Sequence, residues 1–267
     1  MTLIKHLTFF GLCLMLTSHL IGCKSSGGTV VEDGEETNVR TQQSGDPLAE
    51  THVRLGIGYM QKGNHELALR KFRKALAIDD NIANGHFAIA LLYERLNRPK
   101  TAEQHYIRAL EINPQYSEAQ NAYGVYLCRD GRYAEAEPHF QSALKNPLYQ
   151  TPHLVHINGG VCANKAGNYD QAEEYFRKAL KRNAKQPVAL YGMSLLNFSK
   201  GNNLRARAYL QRYSAIAKHT SESLWLGIRL EKALGDANAQ SRYASLLKRK
   251  FPDSKEASLL SDSERDG

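Results

Sequence analysis

The feature that most constrains this chain is a short pattern that recurs along it. The stretches GNHELALRKFRKALAIDDN, GRYAEAEPHFQSALKNPLY and GNYDQAEEYFRKALKRNAK each place an alanine, an aromatic and a second alanine 5, 9 and 12 residues after a glycine. Gly63, Ala68, Phe72 and Ala75 are one set; Gly131, Ala136, Phe140 and Ala143 another; Gly167, Ala172, Phe176 and Ala179 a third. On a helix those offsets fall on one face. The small residues let a second helix approach closely, and the aromatic fills the space between them. A unit this short cannot bury an apolar face alone, so stacked copies must build a continuous core.

Placing the glycine at position 15 of each unit gives starts at Ala49, Ala83 and Ser117, each 34 residues apart, and a fourth near His153. The fourth is displaced by two extra residues within NPLYQTP, a segment with two prolines expected to alter the angle between neighbours. Beyond Pro187 the pattern weakens. Gly201, Ala206 and Leu210 keep its spacing, but Tyr213 replaces the second alanine; the unit from Ser221 keeps Gly235 and Pro252 but has Gln240 at the first. This resembles the tetratricopeptide repeat, a helix–turn–helix unit of 34 residues. The resemblance implies an all-α superhelix of about six repeats over residues 49–253, the last two degenerate because terminal repeats lack a neighbour on one side. Residues 254–267, SKEASLLSDSERDG, read as a frayed tail.

The N-terminal stretch is of another kind. Lys5 precedes the apolar run LTFFGLCLMLTSHLIG, too short and too mixed for a membrane span of about 20 apolar residues. Residues 1–22 therefore read as a signal peptide with a basic start. Its end, LIGC, resembles the lipobox of bacterial lipoproteins, which implies cleavage before Cys23 and acylation of that residue. A multi-acyl anchor holds firmly because each buried methylene contributes about 0.8 kcal/mol. Lys24, in place of an aspartate, points by the same resemblance to the outer membrane, lipid-anchored on its periplasmic face. Residues 23–48 are rich in Gly, Ser, Thr and acids and read as a flexible tether.

The chain carries 35 Lys and Arg against 27 Asp and Glu, and residues 49–267 alone hold 32 basic and 22 acidic side chains. This surplus bears on partners and solubility. It suits anionic lipid head groups or an acidic protein surface, and the basic residues are scattered along the sequence without a run. Nucleic acid and small-molecule substrates are not expected as partners. With Cys13 in the signal peptide and Cys23 acylated, Cys128 and Cys162 remain in an oxidising compartment. They fall on adjacent first helices, whose axes pack about 8–10 Å apart. A disulfide between them is within reach, with two buried thiols as the alternative.

No HExxH, GxSxG or glycine-rich phosphate loop is present, and no enzymatic activity, cofactor or metal is expected. His52 and His86 occupy position 4 of their repeats, where packing is the expected role; His153 and His156 share a helix face without further metal ligands at suitable spacing.

By the family's pattern the first helices line a concave groove with positions 2, 5, 9 and 12. These include Val53, Ile57 and Met60; Phe87, Leu91 and Glu94; Asn121 and Val125; Asn164; Tyr191 and Phe198; and Trp225. A largely apolar groove suits an amphipathic helix or an extended apolar segment. Beyond the generic repeat, AYGVYLCRDGRYAEAEPHFQSALKNPLYQTP, NGGVCANKAGNYDQAEEYFRKAL and LWLGIRLEKALGDANAQSRYASLLKRKFPDS resemble the PilF/PilW family, the pilotins of type IV pili. That resemblance implies a lipoprotein that binds secretin subunits through its groove. It would promote their outer-membrane localisation and their multimerisation into the channel through which the pilus emerges. The alternative is a generic periplasmic tetratricopeptide scaffold for envelope or cell-wall complexes.

Overall fold

A computed structural model describes residues 29–32, 35–38 and 46–265. The expected signal peptide and Cys23 lie outside the described residues. Six antiparallel helix pairs follow one another: α1 (Pro47–Gln61) with α2 (His65–Ile78), α3 (Ala83–Arg95) with α4 (Pro99–Ile112), and α5 (Ser117–Arg129) with α6 (Tyr133–Leu144). Then come α7 (Pro152–Lys165) with α8 (Tyr169–Arg182), α9 (Pro187–Ser199) with α10 (Asn203–Ser214), and α11 (Ser221–Leu234) with α12 (Ala237–Lys250), closed by α13 (Lys255–Arg265). No described helix is long and apolar enough to cross a membrane.

Each pair forms for the same local reason. The turn residue must adopt a left-handed backbone to reverse the chain within a few residues, and glycine does so without a steric penalty. Gly63, Gly131, Gly167, Gly201 and Gly235 have φ between 73° and 78°, and Asn97 holds the corresponding place in the second repeat at φ 53°. The two-residue insertion therefore sits between Gly131 and Gly167, with the 34-residue step intact on either side. Caps fix the entries: Asp46 accepts from the amides of Leu48 and Ala49, Asn64 from Leu67, and Asp236 from Ala239.

Packing within a pair rests on an aromatic seated where a neighbouring side chain is missing. A Cβ added at Gly124 would lie 2.8 Å from Phe140, and one added at Gly160 would lie 2.6 Å from Phe176. Phe72, Phe140 and Phe176, together with the repeat alanines beside them, are at most 1 % exposed. The buried clusters run in series, one spanning α1 to α7 and three smaller ones reaching α13, as stacking of quasi-identical units requires.

The fifth and sixth repeats, degenerate in sequence as expected, form helix pairs. Tyr213, in place of an alanine, is buried and donates its hydroxyl to the Lys218 carbonyl, while in the sixth repeat Ala239 and Tyr243 take the packing places one residue early, Tyr243 lying against Gly227. The tail from residue 254 does not fray as a whole. Lys255–Arg265 are helical, and Ala257 and Leu260 are buried against α11 and α12, so α13 supplies the neighbour that the last repeat would lack. Within the expected tether, Thr29–Glu32 pairs antiparallel with Glu35–Asn38, Val30 opposite Thr37, an ordered element that composition alone did not disclose.

Candidate functional site

The inner-face positions of the first helices divide into two groups. Val53, Ile57, Met60, Phe87 and Leu91 are no more than 4 % exposed and belong to the large buried cluster. Packing consumes them: Val53 lies against the Gly85 backbone, and Phe87 meets Tyr116 edge-on at 5.2 Å and Tyr106 at 6.1 Å. They hold the stack together and are not an open surface, which corrects the groove expected at these positions. Glu94 is likewise engaged, accepting from the Tyr106 hydroxyl and paired with the Arg129 guanidinium. It borders a small cleft of about 260 Å³ shared with Asn97, Tyr126 and Asp130. Asn121 is buried and accepts from the Asn158 amide at 3.2 Å, a bond that ties α5 to α7.

The same two helices carry the cysteines. Cys128 and Cys162 form a disulfide with their Cα atoms 5.7 Å apart, near the C-terminal ends of α5 and α7. Neighbouring first helices are thus joined covalently where the regular step is interrupted.

Beyond Asn121 the inner face opens in part, though Ile157 of the fourth repeat stays buried. Val125, Asn164, Tyr191, Phe198 and Trp225 are all partly accessible. The exposed Arg229 guanidinium lies over the Phe198 ring at 4.8 Å, a cation–π contact that bridges the fifth and sixth repeats. Tyr191 packs 5.8 Å from Tyr213, and burial pushes its hydroxyl up to about 12, so it stays a neutral donor at physiological pH. Tyrosine, tryptophan and arginine are the side chains that dominate binding energy at protein interfaces, because they offer large rigid contact areas and a polar tip. Half-buried aromatics spread over two repeats under an arginine therefore have the character of an interface and form the candidate site on this face.

The histidines serve packing. Across the first and second helices of successive repeats, positions 4 and 23 meet as His86 with His105, Gln120 with His139, and His156 with Tyr175. The His86 Nε2–H donates to the Asp80 carbonyl at 3.1 Å, so its Nδ1 accepts from the His105 Nδ1–H at 3.0 Å. Burial, and then the adjacent His86, pushes the His105 imidazole down to about 4. His153 and His156 are both lowered by burial, and among the described residues no group of three His, Cys, Asp or Glu is placed to hold a metal.

Comparisons with known proteins agree over most of the chain. Tetratricopeptide repeat families match residues 47–115, 87–150 and 163–225. The type IV pilus assembly protein PilF of Pseudomonas aeruginosa is 32 % identical over 92 % of this chain and 94 % of its own. A crystal structure of PilW, described as a widely conserved type IV pilus biogenesis factor, superposes with a TM-score of 0.74 at 29 % identity over 80 % of this chain and 99 % of that one. A structure of the Pseudomonas PilF gives a TM-score of 0.74 at 32 % identity, covering 81 % and 97 %. A tetratricopeptide protein of Parabacteroides merdae, at 20 % identity and a TM-score of 0.59, shares the fold.

Proposed function

The chain belongs to the PilF/PilW family of tetratricopeptide-repeat proteins, and we propose that it acts in type IV pilus assembly as a non-enzymatic pilotin. In this reading it binds secretin subunits and promotes their localisation to the outer membrane and their multimerisation. The observation that carries it is the end-to-end likeness to PilF, which includes the degenerate final repeats and is not confined to the generic repeat motif. The partner lies on the accessible half of the inner face, against Tyr191, Phe198, Trp225 and Arg229. An apolar segment displacing water from these rings covers an aggregation-prone part of the secretin subunit until it assembles. Acylation at Cys23 supplies the membrane address, and the following residues give the repeat domain reach around that anchor.

Replacing Phe198 and Trp225 together by alanine in cells tests this. Each ring has the character of an interface hot spot, where truncation costs about 2 kcal/mol or more, roughly 30-fold in affinity. The expected result is loss of heat-stable secretin multimers with the variant still present at normal level and still helical. Undiminished multimers in that strain, or in one lacking the protein altogether, would sink the proposal.

A further inference from the structure

The stacking of the repeats gathers basic residues that the sequence disperses. The C-termini of α2, α4 and α6 carry no basic residue in their last turns, whereas α8 ends in Lys181 and Arg182, α10 contains Arg212, and α12 ends in Lys248, Arg249 and Lys250. All six helix ends present the same unpaired carbonyls and the same negative dipole end. Dipole compensation alone would load all six alike, so the asymmetry asks for another cause. The connecting turns extend the bias: Lys185 and Lys218 lie on the basic half, while Asp79 and Asp80 occupy the α2–α3 turn of the first repeats.

These groups share one edge of the stack. The Arg212 guanidinium donates to the Ala184 carbonyl at 3.1 Å, joining the end of α10 to the α8–α9 turn, and the His219 ring meets Tyr243 of α12 at 5.7 Å. Lys181, Arg182, Lys185, Lys218, Arg249 and Lys250 are exposed and enter no ion pair among the described residues. Lys248 is paired with Glu264 at 2.7 Å, and the acids in the adjoining turns and helix starts are Glu222, Asp253 and Glu256. Exposed aliphatics stand between the charges: Leu148 at the tip of the inserted segment is 82 % exposed, Val188 38 % and Ile216 37 %. The insertion turns Tyr149 inward and leaves Leu148 outward, its amide held by the Asn146 side chain at 2.9 Å.

We propose that this edge, built from the ends of α8, α10 and α12 with the turns beside them, binds the surface of an anionic phospholipid bilayer. Lysine and arginine engage the phosphates while Leu148, Val188 and Ile216 enter the headgroup layer. Such a surface favours an edge-on orientation of the repeat domain, with the turn that carries Asp79 and Asp80 away from the lipid and the aromatic inner face free for a protein. Aliphatic side chains interspersed among cations fit a bilayer interface better than an acidic polypeptide, which offers charge without an apolar layer.

The test uses the full chain carrying Cys23→Ala, so that acylation contributes nothing, in flotation assays with vesicles. The expected result is binding to phosphatidylethanolamine–phosphatidylglycerol vesicles and not to phosphatidylcholine alone, weakening between about 0.1 M and 0.5 M salt. Lys181→Gln, Arg182→Gln and Lys185→Gln together should weaken it about 100-fold, at roughly fivefold for each basic side chain. Leu148→Ser should weaken it further, with an unchanged circular dichroism spectrum in every variant. Equal flotation of parent and triple variant, or equal binding to neutral vesicles, overturns the proposal. Retention on immobilised polyglutamate without flotation overturns it in favour of an acidic polypeptide.

Discussion

Replacing Cys128 and Cys162 together by alanine removes the disulfide that ties α5 to α7. The bridge closes a loop of 34 residues, and a loop of that length corresponds to about 12–13 cal/mol/K of chain entropy withheld from the unfolded state, or about 4 kcal/mol at 25 °C. Both residues are nearly fully buried, at 6 % and 3 % exposed, so alanine adds no polar group to the interior. A loss of that size is a large share of the roughly 5–15 kcal/mol that holds a typical domain. Because each repeat contacts only its neighbours, the loss concentrates at the α5–α7 step, where the Asn121–Asn158 hydrogen bond remains. Urea unfolding followed by circular dichroism should show a lower midpoint and a shallower transition as the two halves begin to unfold separately. Dithiothreitol added to the parent protein should reproduce the curve of the double variant. A stability change below about 1 kcal/mol, with one transition of unchanged steepness, would refute the reasoning that the bridge constrains the unfolded chain.

Two further outcomes follow from the packing. The His105 imidazole is held at about 4 in the fold, below its ordinary value near 6.5, so the stability its neutral form provides is complete above about pH 6.5 and is lost as pH falls toward 4. That gap sets a ceiling of about 3 kcal/mol, which solvent screening of a half-buried ring reduces to about 1–2 kcal/mol. Urea midpoints measured from about pH 7.5 down to pH 5 should fall, and His105→Gln should flatten the fall; an identical slope in the variant counts against the histidine pair as its source. Phe176→Ala should cost about 3–5 kcal/mol by leaving a cavity, and Gly160→Ala about 1–3 kcal/mol by crowding the same ring. In the Phe176→Ala background the Gly160→Ala change should become neutral or favourable, since alanine is the better helix former by about 1 kcal/mol; additive costs would show that the ring and the glycine do not act as a pair.

Much of the repeat body was legible because its local rules are short-ranged. The left-handed turn residues, the alanine and aromatic spacing and the two-residue insertion are all read from neighbours within one unit. What eluded the sequence depends on contacts between units. Val53 and Phe87 occupy the same formal position as Tyr191, yet the first two are consumed by Gly85, Tyr106 and Tyr116 while Tyr191 stays accessible. Position within a repeat cannot distinguish them, since the difference lies in the side chains contributed by the next repeat. Arg229 over Phe198 is a contact of the same kind. The tail beyond residue 254 read as polar and short, and only the exposed end of α11 and α12 gave Ala257 and Leu260 a surface to cover.

The sequence by itself therefore determined the unit: its length, its two helices, its turn, and the number of times it recurs. Those properties follow from steric limits and periodicity within a few turns of chain. The tertiary structure decided which surface each unit shows. Residues 181 to 255 carry their lysines and arginines in separate short groups, and only superposing the helix ends brings those groups onto one edge. The same stacking buries the inner face at the start of the solenoid and leaves its aromatic residues accessible toward the end, because burial is set by what the neighbouring repeat places against a side chain, and no single repeat contains that information.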